Sequence, residues 1–209
     1  DIISSGEKIT LLPNYSIEIA KNTSPQEPVR LPDPVTPIGP VYNNIAYYSN
    51  KKPKITFLWK PQLDVTEYHF ELANDEEFRR VLISTYTNEA NYTSNILSSG
   101  RFYWKVSARN NAHEGKSSKP RIIRIIRDTK PPEIFVNFPS DRIITKSQEI
   151  SGKVLDAVEL FINSKSVNIR PGGSFKHILG FKKGVNVIVI EAVDKAGNVN
   201  YQSKIVKRH

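Results

Sequence analysis

Cysteine and methionine are both absent from this chain of 209 residues. Without cysteine there is no disulfide, no thiolate nucleophile and no cysteine-held metal, a composition that suits an exported bacterial protein as well as a cytosolic one. Histidine is scarce: His69, His113, His177 and His209 are the only four, none paired at metal-ligand spacing and none beside a hydrolase-like Asp/Ser pattern. No apolar run approaches the roughly 18 residues that a membrane span needs. The chain starts at Asp1, so it is expected to be a mature or trimmed fragment, with any export signal or lipid anchor upstream.

What is present is ordinary for a folded β-rich protein: 38% hydrophobic residues, with two Trp, nine Tyr and nine Phe. The net charge of +9 comes from 30 Lys and Arg against 21 Asp and Glu. It is shared between the two parts of the chain, so the surface favours acidic partners in a salt-sensitive way without naming one.

The hydrophobic period is two over long stretches. Ile55, Phe57 and Trp59 alternate with polar or outward positions, as do Tyr68, Phe70 and Leu72, and then Phe102, Trp104, Val106 and Ala108. These predict half-buried strands of antiparallel sandwiches. NDEEFRRV, residues 74–81, reads as one short helical turn capped by Asn74. RIIRIIR, residues 121–127, is too short and too β-branched for a stable helix, so it is read as a strand, with either Ile122 and Ile126 or Ile123 and Ile125 inward.

At the start of the chain, Ile9 and Leu11 followed by Pro13-Asn14 and then Ile17 and Ile19 predict a β-hairpin folded about that turn. Residues 23–40 carry six prolines, which predicts a semi-rigid extended spacer whose end doubles as a proline-broken strand.

Three stretches resemble known families. G-x-x-I-x-L-x-P-N-x-x-I-x-I, from Gly6 to Ile19, is similar to the closing strands of the FecR-type domain of bacterial envelope proteins. ITFLWK, YHFELA and GRFYWKVSARN resemble a fibronectin type III domain. That resemblance implies that Trp59 packs from the second strand and Trp104, Val106, Ala108 and Asn110 from the sixth. It places Phe102 at the family's tyrosine corner, without the hydroxyl. VELFIN, GGSFKHILGF and GVNVIVIEAVDKAGN resemble bacterial Ig-like domains. There the family's usual Asn-Gly hairpin is Asn163-Ser164, so a looser turn is expected.

The expectation is therefore an all-β chain of two consecutive sandwiches: a hairpin over residues 1–22, a spacer over 23–40, a type III-like domain over 41–128 and an Ig-like domain over 131–209. By resemblance, this order implies a non-catalytic adhesion or interaction protein, exported to the cell envelope or surface, with the periplasm as alternative. The order resembles that of bacterial envelope proteins, including FecR-domain proteins of spirochaetes. Its partner would be a protein or glycan, for instance a host matrix glycoprotein such as fibronectin, met at exposed strand edges. Membrane association would come only through an anchor outside the fragment. A spacer or carbohydrate-binding appendage of a larger envelope enzyme or sensor is the alternative.

No cofactor, metal or catalytic residue is expected, and no nucleic-acid partner. AVDKAGN lacks the alternating acids of a calcium loop and PGGSFKH lacks phosphate-loop spacing, so both are read as turns. The candidate partner-binding residues are Tyr103, Lys105 and Arg109 on the outward side of the sixth strand, with Arg124, Lys182 and Lys183.

Overall fold

The computed structural model describes residues 2–4, 7–18, 27–95, 97–111 and 113–209. Among these there is no helix, hence none long and apolar enough to cross a membrane. The chain divides into two compact units, Asp1–Ala46 with Pro53–Ile126 and Tyr47–Lys52 with Arg127–His209.

In the first unit, β1 (Ile2–Ser4) and β2 (Glu7–Ile9) form a hairpin. β3 (Tyr15–Ser16) pairs instead with β4 (Val29–Arg30). The hairpin expected about Pro13-Asn14 is thus not the pairing found, and Ile19 lies outside the described residues. The turn itself exists, with Asn14 at positive φ and the Tyr15 amide donating to the Leu12 carbonyl. Asn14 then bonds to Leu31 of the proline-rich segment, its side-chain amide donating to the Leu31 carbonyl and its own carbonyl accepting the Leu31 amide. That long-range bonding fixes the strand after the turn to residues 29–30. The proline-rich segment also supplies β5 (Pro37–Gly39), an edge strand, where the missing proline amides cost no ladder bond.

The strands that follow are β6 (Asn44–Tyr48), β7 (Ile55–Trp59), β8 (Glu67–Ala73), β9 (Val81–Thr87), β10 (Asn91–Ser94), β11 (Gly100–Asn110), β12 (His113–Glu114) and β13 (Arg121–Arg127), all in the first unit except Tyr47, Tyr48 and Arg127. One sheet runs β10-β7-β5 and the other β6-β13-β11-β8-β9, with β12 also on β11. Alternation sends Phe57, Trp59, Phe70, Leu72, Trp104 and Val106 inward. The rings interlock, Phe57 lying 4.9 Å from Phe70 and 5.2 Å from Trp104. In β13, Ile123 and Ile125 are the buried pair. The arginines of that strand serve no common edge: Arg121 donates to the Pro37 carbonyl at 2.7 Å, Arg124 faces Arg101 across the ladder, and Arg127 reaches the Ser49 carbonyl.

Two local expectations, the helical turn and the loose Asn163-Ser164 hairpin, give way, while Phe102 packs as expected. Residues 74–80 form a non-helical turn, organised by Asp75 rather than Asn74: its carboxylate accepts the Arg79 amide at 3.0 Å and the Arg80 amide at 2.8 Å, while Phe78 takes positive φ. Phe102 is buried where a tyrosine corner would sit, and a hydroxyl tie to backbone occurs at Tyr68, which accepts the Gln62 amide at 2.8 Å. Asn163-Ser164 makes a tight turn, both residues at positive φ, because the Asn163 side chain is pinned between the Val187 carbonyl and the Val189 amide.

That turn belongs to the second unit, which comprises β14 (Glu133–Asn137), β15 (Arg142–Ile143), β16 (Ser147–Leu155), β17 (Glu159–Ile162), β18 (Lys165–Ser166), β19 (Ser174–Gly180), β20 (Gly184–Val193) and β21 (Val199–Arg208). Its sheets run β14-β16-β19 and β15-β21-β20-β17-β18. The core is aliphatic, built on Ile134, Ile150, Leu160, Ile162, Ile188 and Ile190, with Phe175 and Phe181. Gly152 is required by close packing, since a Cβ there would lie 2.2 Å from the Phe135 carbonyl oxygen and 2.7 Å from the Phe175 ring. The PGGSFKH and AVDKAGN stretches each contain a turn, at residues 171–173 before β19 and 194–198 after β20.

Candidate functional site

The residues that alternate with the aromatic core of the first unit lie on the outward side of its larger sheet. There the register sets Glu67 opposite Arg109, His69 opposite Ser107 and Glu71 opposite Lys105. Opposite charges face each other across the ladder, the arrangement that stabilises a sheet surface. Arg109 meets Glu67 at 3.0 Å and Lys105 meets Glu71 at 3.0 Å. Lys105 also lies 4.2 Å above the Phe78 ring and Arg109 5.2 Å above Tyr86.

Between the two ion pairs sits His69, stacked 4.5 Å from Tyr86. Its Nδ1 is 2.9 Å from Glu114 Oε1 and its Nε2 is 2.8 Å from Ser84 Oγ. The Ser107 hydroxyl donates to the same Glu114 oxygen in a short hydrogen bond. Burial pushes the Glu114 carboxyl up, but the Ser107 hydroxyl, His69 and Arg109 together outweigh it and hold the group below its ordinary range. Asp75, at the neighbouring turn, is likewise lowered, first by the Arg79 amide and then by Arg80.

Ser84, His69 and Glu114 stand in the order of a nucleophile, base and orienting acid. Acyl transfer would further require a cleft and donors aimed at a developing oxyanion. Among the described residues, clefts of this unit lie about Arg30, Asp33 and Gln62 and about Leu82, Leu97 and Arg101. His69 and its partners lie on a sheet face, and the arrangement acts as a polar tie across β8, β9, β11 and β12.

The expected partner-binding residues are divided between the two units. Tyr103, Lys105, Arg109 and Arg124 belong to the first unit, and the cations of Lys105 and Arg109 are taken up in ion pairs. Arg124 lies opposite Arg101, and its Nε is buried without a hydrogen-bond partner. Lys182 and Lys183 are exposed in the second unit, in the turn between β19 and β20, where Asn186 fastens the Lys182 backbone from both sides.

Sequence reasoning misses two groupings. One is the His69 tie, whose members are 15 and 45 residues apart. The other is Asp128, Asp156 and Asp194, which each bring a carboxylate oxygen within 4.8 Å of the others. Three such oxygens are fewer than the six to eight that calcium takes. Asp194 is otherwise occupied in closing its turn, accepting the Ala196 and Asn198 amides and the Asn198 side chain, each at 2.8 Å.

No protein-family profile matches the sequence, and sequence comparison with characterised proteins gives no match. Solved structures do resemble it. The fibronectin(III)-like modules of Clostridium thermocellum CbhA are 13% identical, with a TM-score of 0.57 over 83% of this chain and 94% of theirs. The chicken CNTN1 FN1–FN3 domains are 13% identical, with a TM-score of 0.46 over 89% of this chain and 70% of theirs. A structure concerned with host cell surface retention of a bacterial ice-binding adhesin is also 13% identical, with a TM-score of 0.42 over 84% of this chain and 62% of its own. At such identity the first likeness speaks to fold: the chain is all-β and fibronectin type III-like.

Proposed function

We propose that this chain is a non-catalytic interaction module of a bacterial cell envelope, which captures an extended segment of a protein partner along the outer edge of β9. A matrix glycoprotein such as fibronectin is the partner favoured by the resemblance of the module order to bacterial envelope proteins. The observation that carries the reading is the character of that edge. β9 ends its sheet, spans seven residues and contains neither a charged residue nor a proline. Those are the devices with which proteins blunt exposed edges. Most other marginal strands carry them or are short: β5 is three residues long with Pro37, β10 has four residues, and β19 contains Lys176, while β6, at the opposite edge of the same sheet, also lacks charge and proline but spans five residues. An added strand gains main-chain hydrogen bonds from the edge and specificity from alternate side chains such as Leu82, Ser84 and Tyr86. The net positive charge favours acidic segments.

The ion pairing of Lys105 and Arg109 supports a second reading, a passive spacer or appendage of a larger envelope enzyme or sensor, because it neutralises the face nearest the edge. Surface binding to immobilised fibronectin, heparin and peptidoglycan separates the two. Saturable binding to fibronectin alone supports capture, and silence on all three supports the spacer. Proline scanned through Ile83, Ser84 and Thr85 meets the outer side of the edge at alternate positions. There it should abolish binding with the fold intact, and undiminished affinity would remove the edge from the account.

A further inference from the structure

The larger sheet of the second unit turns an apolar face to solvent. Along β20 and β21 the inward residues, Ile188, Ile190 and Val206 among them, alternate with Val185, Val187, Tyr201 and Ile205, whose exposures are 69, 51, 59 and 66%. The register places Val187 directly opposite Ile205, and β17 adds Phe161 beside Glu191. Scattered exposed apolar residues are common, but a contiguous group on two ten-residue strands marks a contact surface.

The charges at the two ends of this face differ in sign. At one end stand Glu191 and Glu159, the latter paired with Val193. At the other stand Lys207, opposite Val185, and Arg142, its neighbour on β15. From Glu191 to Val185 is six residues, roughly 20 Å along the strand.

We propose that this face binds a second copy of the same chain, face to face about a two-fold axis near Val187, Val189 and Ile205. A two-fold axis running across the strands lays the acidic end of one copy over the basic end of the other and buries the apolar middle. A uniformly charged partner would be repelled at one end. A contact nine residues long and about four strands wide covers on the order of 500 Å² per copy, about 1,000 Å² in all, which is the lower limit for a specific interface. The dimer is therefore weak, with a Kd in the micromolar range expected. This inference is independent of the β9 edge.

Sedimentation velocity of the full chain from about 1 to 200 µM tests it. A concentration-dependent monomer–dimer equilibrium is expected, and Val187→Lys, an exposed change that spares the core, should leave only monomer. Glu191→Lys and Lys207→Glu should each weaken the dimer about tenfold, and combining them should restore most of the loss, because position 191 of one copy meets position 207 of the other. A wild-type chain monomeric throughout overturns the proposal. So does a combined variant no better than the single ones, or a Val187→Lys variant that dimerises as wild type.

Discussion

The two units solve the same problem with different materials. The first packs rings, with both tryptophans of the chain, Trp59 and Trp104, fully buried among Phe57, Phe70 and Tyr68. The second packs branched aliphatic chains with two phenylalanines at the side. Their outward faces diverge further. On the first, Glu67 and Arg109, and Glu71 and Lys105, meet as opposite charges across β8 and β11, and His69 between them is hydrogen-bonded. On the second, β20 and β21 present valine, isoleucine and tyrosine. The alternation of period two specifies a sandwich in both, and it leaves the outward residue free to choose the kind of surface. A face whose charges are satisfied internally has little left to offer a partner, which shifts interaction to an edge. An apolar face offers itself directly.

The contrast can be broken at its strongest point in the first unit. Trp104→Ala removes a fully buried ring in contact with Phe57 and Phe70 and should cost about 3–5 kcal/mol, measured by urea unfolding monitored at Trp59. In the second unit the tightest constraint is backbone proximity. Gly152→Ala should cost about 1–3 kcal/mol, since the new methyl must displace the Phe135 carbonyl or the Phe175 ring.

A smaller effect distinguishes the polar face. Because the folded state lowers the pKa of Glu114, its contribution is present above the pKa of an unfolded glutamate and is lost as pH falls through the folded value. Glu114→Gln should therefore flatten the acid limb of stability of the first unit, followed by tryptophan fluorescence, and leave neutral-pH folding intact. The smallest effect sharpens the second unit: Ser164→Gly, at φ 63°, relieves left-handed strain against the entropy cost of glycine and should stabilise by up to about 1 kcal/mol.

Much of this was legible in the sequence because it is local. Period-two runs placed β7, β8 and β11, the resemblance of GVNVIVIEAVDKAGN to bacterial Ig-like domains placed β20, the length and branching of RIIRIIR ruled out a helix, and glycine and proline marked the turns. What was not legible depends on distant partners. Nothing in residues 6–19 states that Tyr15–Ser16 will prefer Val29–Arg30, because the decision lies in bonds from Asn14 to Leu31. The positive character read into Lys105 and Arg109 is cancelled by Glu71 and Glu67, whose register only the folded sheet reveals. Asn163-Ser164 was expected to be loose from its residue types, and the contacts of Asn163 with β20 make it tight.

The central claim is that two separate cores, one aromatic and one aliphatic, hold the two faces. Both tryptophans lie in the first, so their fluorescence reports on that unit while far-UV circular dichroism reports on all strands. Urea unfolding of Ile190→Ala, which should cost the second unit about 2–5 kcal/mol, tests the claim directly. The account predicts an unchanged fluorescence midpoint together with a new early phase in circular dichroism. A fluorescence midpoint that falls in step with the circular dichroism would contradict it.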